Sequence, residues 1–399
     1  MGEALRLATA DDALAAASHY ASCIAEGAAE RDRNGGVPRA ELKALDQTGL
    51  LGITVPEEHG GAELGPIVLA DVIRIIAAAD PAIAQVPQGH FLFVDVLRLL
   101  ASESQQRRIF ADVLDGRRLG NALAERGTLH AQDLSTRVSG GPNGLRLNGK
   151  KYYCTGAITS HWLPVSALDD EGRLVVVIVN RNDPGVHIDE DWGAMGQRAT
   201  VSGTTTLDDV KVDPNLVLEY WRAFEGPQLL GARAQLVHAA IEVGIAEGAL
   251  AEAAGFVRTR SRPFFEAVRG GWGERAISDP HTVLRFGRLT TQLEAARQLL
   301  RWAAQTLTDA GLQPVDTEIA ALGSLAVAQA KAFASETAVL IASDLFALTG
   351  TSGTDQRWGL DRHWRNARTH SVHDPVDWKY HHIGAYHLAG TLPPNHGQL

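Results

Sequence analysis

The densest concentration of chemically able side chains lies in residues 348–384, LTGTSGTDQRWGLDRHWRNARTHSVHDPVDWKYHHIG. His363, His370, His373, His381 and His382 fall in it, and Arg362, Arg365 and Arg368 recur at the three-residue interval that lines side chains along one side of a helical turn. Imidazoles exchange protons near neutral pH, so His370 and His373, with the carboxylate of Asp374 beside them, form a candidate acid–base group. Pro375 follows directly. A residue before proline is pushed out of the α region, so the helix should stop there and present these groups at its end. Upstream, Gly350 and Gly353 frame a turn whose bare backbone N–H groups suit an anion or a ring carbonyl. The same residue types also describe a hydrogen-bonded subunit contact. A metal site is the other rival, and the pattern argues against it: His-x-x-His at a helix end is no ligand signature, Cys23 and Cys154 are far away, and three arginines repel a cation.

These residues need a frame to hold them. Residues 9–31 predict a helix with Leu14, Ala17, Tyr20 and Ile24 on one face, capped by Thr9 with Asp11 and Asp12 in its first turn. A second helix should begin at Pro38 and end at Gly49, followed by helices over 66–79 and 89–101, which makes residues 1–119 a helical domain. Around Gly120 the period changes. Short β-branched or alternating runs at 144–155, 174–180 and 204–212, separated by turn residues, predict a small antiparallel β domain over 120–225. From 226 to 399 the helical period returns in long stretches, 227–260, 279–310 and 316–349, each well beyond the usual globular helix of about 11–12 residues. Helices of this length form a bundle, and their apolar faces run on into neighbouring subunits, so a homotetramer is expected.

Bulk properties exclude several classes. A net charge of −10 with no Lys/Arg run longer than two gives no footing for a phosphate backbone, so nucleic acid is not expected as a partner. Two cysteines do not make a disulfide framework. The first residues lack a basic leader with an apolar core, and no stretch reads as long enough to cross a bilayer, so a cytoplasmic location is expected and a membrane is not.

Four local motifs, in order, resemble the acyl-CoA dehydrogenase superfamily: GLLGITVPEEHGG at 49–61, NALAERGT at 121–128, NGKKYYCTG at 148–156, and the glycine turn GTSG followed by RNAR. The resemblance covers nearly the whole chain and implies a mainly α fold with a central β domain and a C-terminal four-helix bundle. The departures bear on the chemistry. Where many of these dehydrogenases carry a catalytic Glu shortly after their Arg-Asp-Ala-Arg helix, this chain has Val372, His373, Asp374, Pro375 and Val376, so the Glu becomes Asp and a proline stiffens the turn. RNARTHSVHDPVDWKYHHIG, KKYYCTGA and the run Gln88, Gly89, His90 instead resemble the flavin-dependent monooxygenase branch, typified by dibenzothiophene monooxygenases and sulfur-acquisition oxidoreductases.

That branch implies reduced FMN supplied by a separate NADH-dependent flavin reductase, with FAD disfavoured, and reaction with O₂ through a C4a-hydroperoxyflavin to oxygenate a small substrate, an organosulfur compound first. The family's flavin contacts carry over to Asn121, Tyr153, Thr155, Trp192 and Arg262, together with the glycine turn at Gly350 and Gly353. His90, His370, His373 and Asp374 fall around the C4a edge and the substrate, and the Thr155 hydroxyl is expected to face flavin N5. The residues read alone leave other roles open: His90 as a core histidine, Trp192 as packing, Thr155 as an ordinary strand residue. Other functions weighed are an FAD-dependent acyl-CoA dehydrogenase with a relocated base, an amine N-oxygenase, and a scaffold that binds no flavin.

Overall fold

In the computed structural model, which describes residues 4–130, 133–142 and 144–398, the Thr9 hydroxyl accepts the Asp12 N–H while the Asp12 carboxylate accepts the Thr9 N–H. This reciprocal cap satisfies two donors left open at a helix start. The helix it opens, α1 (Ala10–Ala25), stops short of residue 31 because Gly27 takes a φ of 83° and begins α2 (Ala28–Asn34). Next come α3 (Arg39–Gln47), α4 (Pro66–Ala79), α5 (Pro81–Gln85), α6 (Gln88–Leu100) and α7 (Glu103–Leu114). The sequence reading does not include α7, although Ser102 and Gln105 cap it as Thr9 and Asp12 cap α1.

The central part forms one sheet from β1 (Arg137–Gly141), β2 (Gly144–Lys151), β3 (Trp162–Leu168), β4 (Leu174–Asn180), β5 (Val186–Ile188), β6 (Thr205–Val212) and β7 (Val217–Leu218), in the order β5-β6-β2-β1-β3-β4-β7. Neighbours are antiparallel except β1 and β3, which run parallel through Arg137 and Leu168, so the expected antiparallel sheet has one parallel join. Strand β3 escapes the sequence reading because it is buried on both faces and shows no alternation.

The last third is helical: α8 (Leu230–Thr259), α9 (Phe265–Arg269), α10 (Pro280–Ala310), α11 (Thr317–Thr349), α12 (Asp361–His370) and α13 (Val376–Ala389). One core runs through α1, α4, α8, α10 and α11. Helices α4 and α8 approach closely: a Cβ on Gly244 would lie 2.5 Å from Ala77 Cβ, and one on Gly248 would lie 2.3 Å from the Ala78 carbonyl oxygen. Only glycine fits at either place. Helix α11 corrects one expectation. By length and composition it could cross a membrane, with a mean hydropathy of 1.4 over its most apolar window, but 56% of that window is buried inside the protein. Most of its apolar residues are core residues that pack on α8 and α10, with Leu322 and Leu340 left exposed.

Candidate active site

Helix α12 ends at His370, as the proline at 375 requires, and is anchored on both flanks before it ends. Arg362 and His363 bind the Glu252 carboxylate of α8 at 2.6 and 2.5 Å, and Arg365 pairs with Asp32 of α2 while donating to the Met195 carbonyl at 2.9 Å. Arg362 and Arg365 thus orient the helix whose last turn carries His370, while Arg368 donates to the Ser371 hydroxyl at the end of that helix.

His370 is buried among groups from two other helices, α8 and α5. Its Nδ1 lies 3.0 Å from Glu242 Oε1, and its Nε2 side meets His238 Nδ1 at 3.2 Å and the Gln85 side-chain amide at 3.0 Å. Glu242, with no exposed surface, also accepts the Ser335 hydroxyl at 2.6 Å. A carboxylate only accepts, so the His370 proton on that side belongs to Nδ1, and Nε2 faces His238 and the Gln85 side chain. His238 packs against His373 with ring centroids 4.1 Å apart and ring planes tilted by 35°. Burial first, then the neighbouring His373, Lys331 and His370, hold His238 neutral well below the usual imidazole range.

His373 and Asp374 occupy the turn after α12. His373 Nδ1 lies 3.2 Å from Asp374 Oδ1, while the ring is 47% exposed. Asp374 itself is clamped, with Lys331 Nζ 2.6 Å from Oδ1 and Lys379 Nζ 3.0 Å from Oδ2. Burial alone would raise its pKa, but the His373 hydrogen bond and the two ammonium groups outweigh burial and drive it far below the carboxylate range. Asp374 was expected among the catalytic groups. The structure holds it between two lysines as their counter-ion, with its pKa lowered, which makes it a weak base near neutral pH.

The β side presents a different surface. Thr155 Oγ1 lies 2.7 Å from Ser202 Oγ, which lies 2.8 Å from Thr200 Oγ1, which donates to the Gln197 carbonyl at 2.8 Å. Trp192 Nε1 donates to the same carbonyl at 2.9 Å, and its ring meets Tyr153 edge-on at 6.2 Å. Tyr153, Gln197 and Val201 all have positive φ, 57°, 52° and 46°, uncommon for residues with side chains and a mark of strain that clusters at functional sites. The Gln197 side chain is buried with neither its oxygen nor its nitrogen partnered among the described residues. Beneath, buried Lys151 ties the Glu125 carboxylate at 2.7 Å to Ser166 at 3.1 Å and so fixes the start of this segment.

The two sides meet. The Gln197 N–H donates to Asn366 Oδ1 at 2.6 Å, one helical turn before His370. Gly156, next to Thr155, is so close to Val86 that a Cβ there would lie 2.7 Å from Val86 Cγ1, and the adjacent Gln85 reaches His370.

Other expected residues stand apart. His90, expected at the flavin edge, is fully buried with both nitrogens spent on backbone: Nε2 donates to the Leu51 carbonyl at 2.9 Å and Nδ1 accepts the Leu119 N–H at 3.2 Å. Burial pushes it down to about 4, so it braces the chain as a neutral core histidine. It still helps position Asn121, two residues beyond Leu119, which packs on Gly89. The N–H of Gly350 closes the end of α11 on Phe346, and the N–H of Gly353 binds the Gly350 carbonyl, so neither is open to a ligand. Arg262 is exposed after α8 and makes no ion pair among the described residues. His238, Glu242, Lys331, Lys379 and Gln85 were not anticipated. Polar residues four apart in apolar runs, His238 with Glu242 and Lys331 with Ser335, are the signal that could have found some of them.

Residues 14–117 match the N-terminal domain of acyl-CoA dehydrogenases, 122–210 the middle domain and 236–378 the C-terminal domain. The chain is 35% identical to a dibenzothiophene monooxygenase of Rhodococcus erythropolis, across 97% of this chain and 96% of that protein. It is 34% identical to a probable FMNH2-dependent monooxygenase, SfnC, of Pseudomonas putida, across 96% of each. The crystal structure of FMN-bound TdsC from Paenibacillus sp. A11-2 superposes with a TM-score of 0.92 at 30% identity, over 97% of this chain and 100% of that one.

Proposed function

We propose that this chain, which belongs to the acyl-CoA dehydrogenase family and within it to the flavin-dependent monooxygenases, takes reduced FMN from a separate NADH-dependent reductase and uses O₂ to oxygenate a small substrate at sulfur. The observation that carries the reading is the clamp on Asp374. The carboxylate nearest the dehydrogenases' base position is neutralised by Lys331 and Lys379, which leaves imidazoles as the proton-moving groups. The relatives act, by their names, on dibenzothiophene or through FMNH2, which favours an organosulfur substrate here.

The residues present fit a flavin. The unpartnered Gln197 amide and the Thr155 hydroxyl match the polar edge of an isoalloxazine, and Tyr153 and Trp192 offer aromatic surface to its rings. Bound reduced flavin supplies the two electrons that let one atom of O₂ pass to the substrate while the other leaves as water. His373 is the group placed to move a proton in that exchange. Asp374 holds its Nδ1–H, so Nε2, on a ring 47% exposed, accepts or returns the proton, while His238 behind it fixes the ring plane. The homotetramer is part of the same proposal, because Phe264, Phe265, Trp272, Val283 and Leu284 leave an apolar patch around α9 and the start of α10 that one protomer does not cover.

The test is an O₂-dependent product screen with a flavin reductase, NADH and FMN against thiophenes, sulfides, sulfinates and amines. Oxygenated sulfur products are expected. Bleaching of bound flavin by acyl-CoAs with an electron acceptor present would overturn the reading, and light scattering checks the assembly, with a monodisperse monomer refuting it.

A further inference from the structure

We infer that the hydroxyl chain Thr155–Ser202–Thr200 selects the reduction state of the flavin, because its proton order leaves Thr155 able only to accept. The inference rests on the reading that this chain takes up reduced FMN.

The order of protons follows from one fixed end. The Gln197 carbonyl has no proton to give, so across the 2.8 Å contact Thr200 must donate. The carbonyl cannot turn away. Its own residue is held by the N–H bond to Asn366 at 2.6 Å, and the oxygen also receives Trp192 Nε1 at 2.9 Å. Thr200 has spent its only hydrogen, so at 2.8 Å Ser202 must donate to it, and by the same count Thr155 must donate to Ser202 at 2.7 Å. The three hydroxyls are all buried, so no bulk water competes to reverse the sequence. Thr155 Oγ1 is left with lone pairs alone.

A ligand atom that meets Thr155 must therefore bring its own hydrogen. Oxidised and reduced isoalloxazine have nearly the same outline, but N5 is a bare acceptor in the oxidised ring and carries a hydrogen in the reduced one. With N5 against Thr155, as the resemblance implies, the reduced ring would gain a hydrogen bond where the oxidised ring would set two acceptors against each other. A protein that borrows its cofactor reduced and returns it oxidised gains from such a contact at both ends of the cycle. Ser202 and Thr200 are thus positioning residues that act through Thr155.

The test is anaerobic titration of the purified protein with reduced FMN and aerobic titration with oxidised FMN, reading the ratio of the two dissociation constants. Wild type should favour the reduced form. Thr155→Val should weaken reduced FMN roughly tenfold and leave oxidised FMN nearly unchanged, as expected for the loss of one hydrogen bond. Ser202→Ala should tighten oxidised FMN, because Thr155 regains a proton to offer, and Ser202→Thr should restore the wild-type ratio. Equal weakening of both forms in Thr155→Val and Ser202→Ala would assign the chain a structural role only and overturn the inference, while the FMN reading stands. Equal affinity of wild type for the two forms would overturn it too. Failure of wild type to bind either form would remove the FMN reading and the inference with it.

Discussion

On the helical side of the site buried charged groups hold one another, Asp374 between Lys331 and Lys379 and Glu242 against His370, and none of these residues has an unusual backbone. The sheet side, from Thr155 to Gln197, carries no charge in its hydroxyl chain and relies on strained backbone at Tyr153, Gln197 and Val201. The contrast separates two ways of holding a group in place. Paired buried charges tolerate small shifts but not the loss of a partner. Neutral hydroxyls aimed by strained backbone lose little when one is removed, yet depend on direction.

The largest effect should come from unbalancing the charges. Asp374→Asn leaves Lys331 and Lys379 facing a neutral amide and should cost about 3–5 kcal/mol in urea unfolding, against about 1 kcal/mol for Thr200→Val. Similar losses in the two variants would break the contrast.

Acidification should act on buried imidazoles and spare the hydroxyls. His90 and His238 are held neutral when folded, whereas an unfolded chain protonates them below about pH 6.5. The unfolded state then binds more protons, so stability is complete above pH 6.5 and falls as pH drops toward about 4, with His90 alone contributing about 3 kcal/mol across that window. The lowered pKa of Asp374 has the same sign but acts only below the ordinary carboxylate range. Urea midpoints between pH 7.5 and 4 measure the slope, and Thr155→Val should leave it unchanged.

Two histidines sharpen the contrast within one residue type. His373→Phe should lower oxygenated product per reduced flavin about a hundredfold, with hydrogen peroxide making up the difference and little change in melting temperature. His90→Leu should instead cost about 1–3 kcal/mol of stability, through the Leu51 carbonyl and Leu119 N–H it leaves open, at an unchanged product-to-peroxide ratio. An unchanged ratio in His373→Phe would refute the proton-transfer role.

The fold was readable because its signals are local: Thr9 with Asp12, Pro66 opening α4, and apolar periodicity over whole helices. The helical side of the site was half readable. His370, His373 and Asp374 stand out as residue types, but Glu242, 128 positions before His370, and Lys331, 43 positions before Asp374, become their partners only through packing. On the sheet side the sequence pointed to Tyr153, Thr155 and Trp192, and only through resemblance. Nothing in Gln197 or Ser202 as letters states that a backbone carbonyl will set the proton order of three hydroxyls. His90 shows the opposite case, a residue type that invites a chemical role and whose two nitrogens are taken by backbone groups 39 and 29 positions away.

Gly244 and Gly248 have a consequence for anyone reshaping this protein by selection. They lie on α8 within three turns of His238 and Glu242, and a methyl group at either would push α8 off α4, moving the two α8 partners of His370 together. A library that varies this stripe should return mostly dead clones whatever substrate is applied. Val372 and Tyr153, exposed beside the two halves of the site, are where new specificities should be sought.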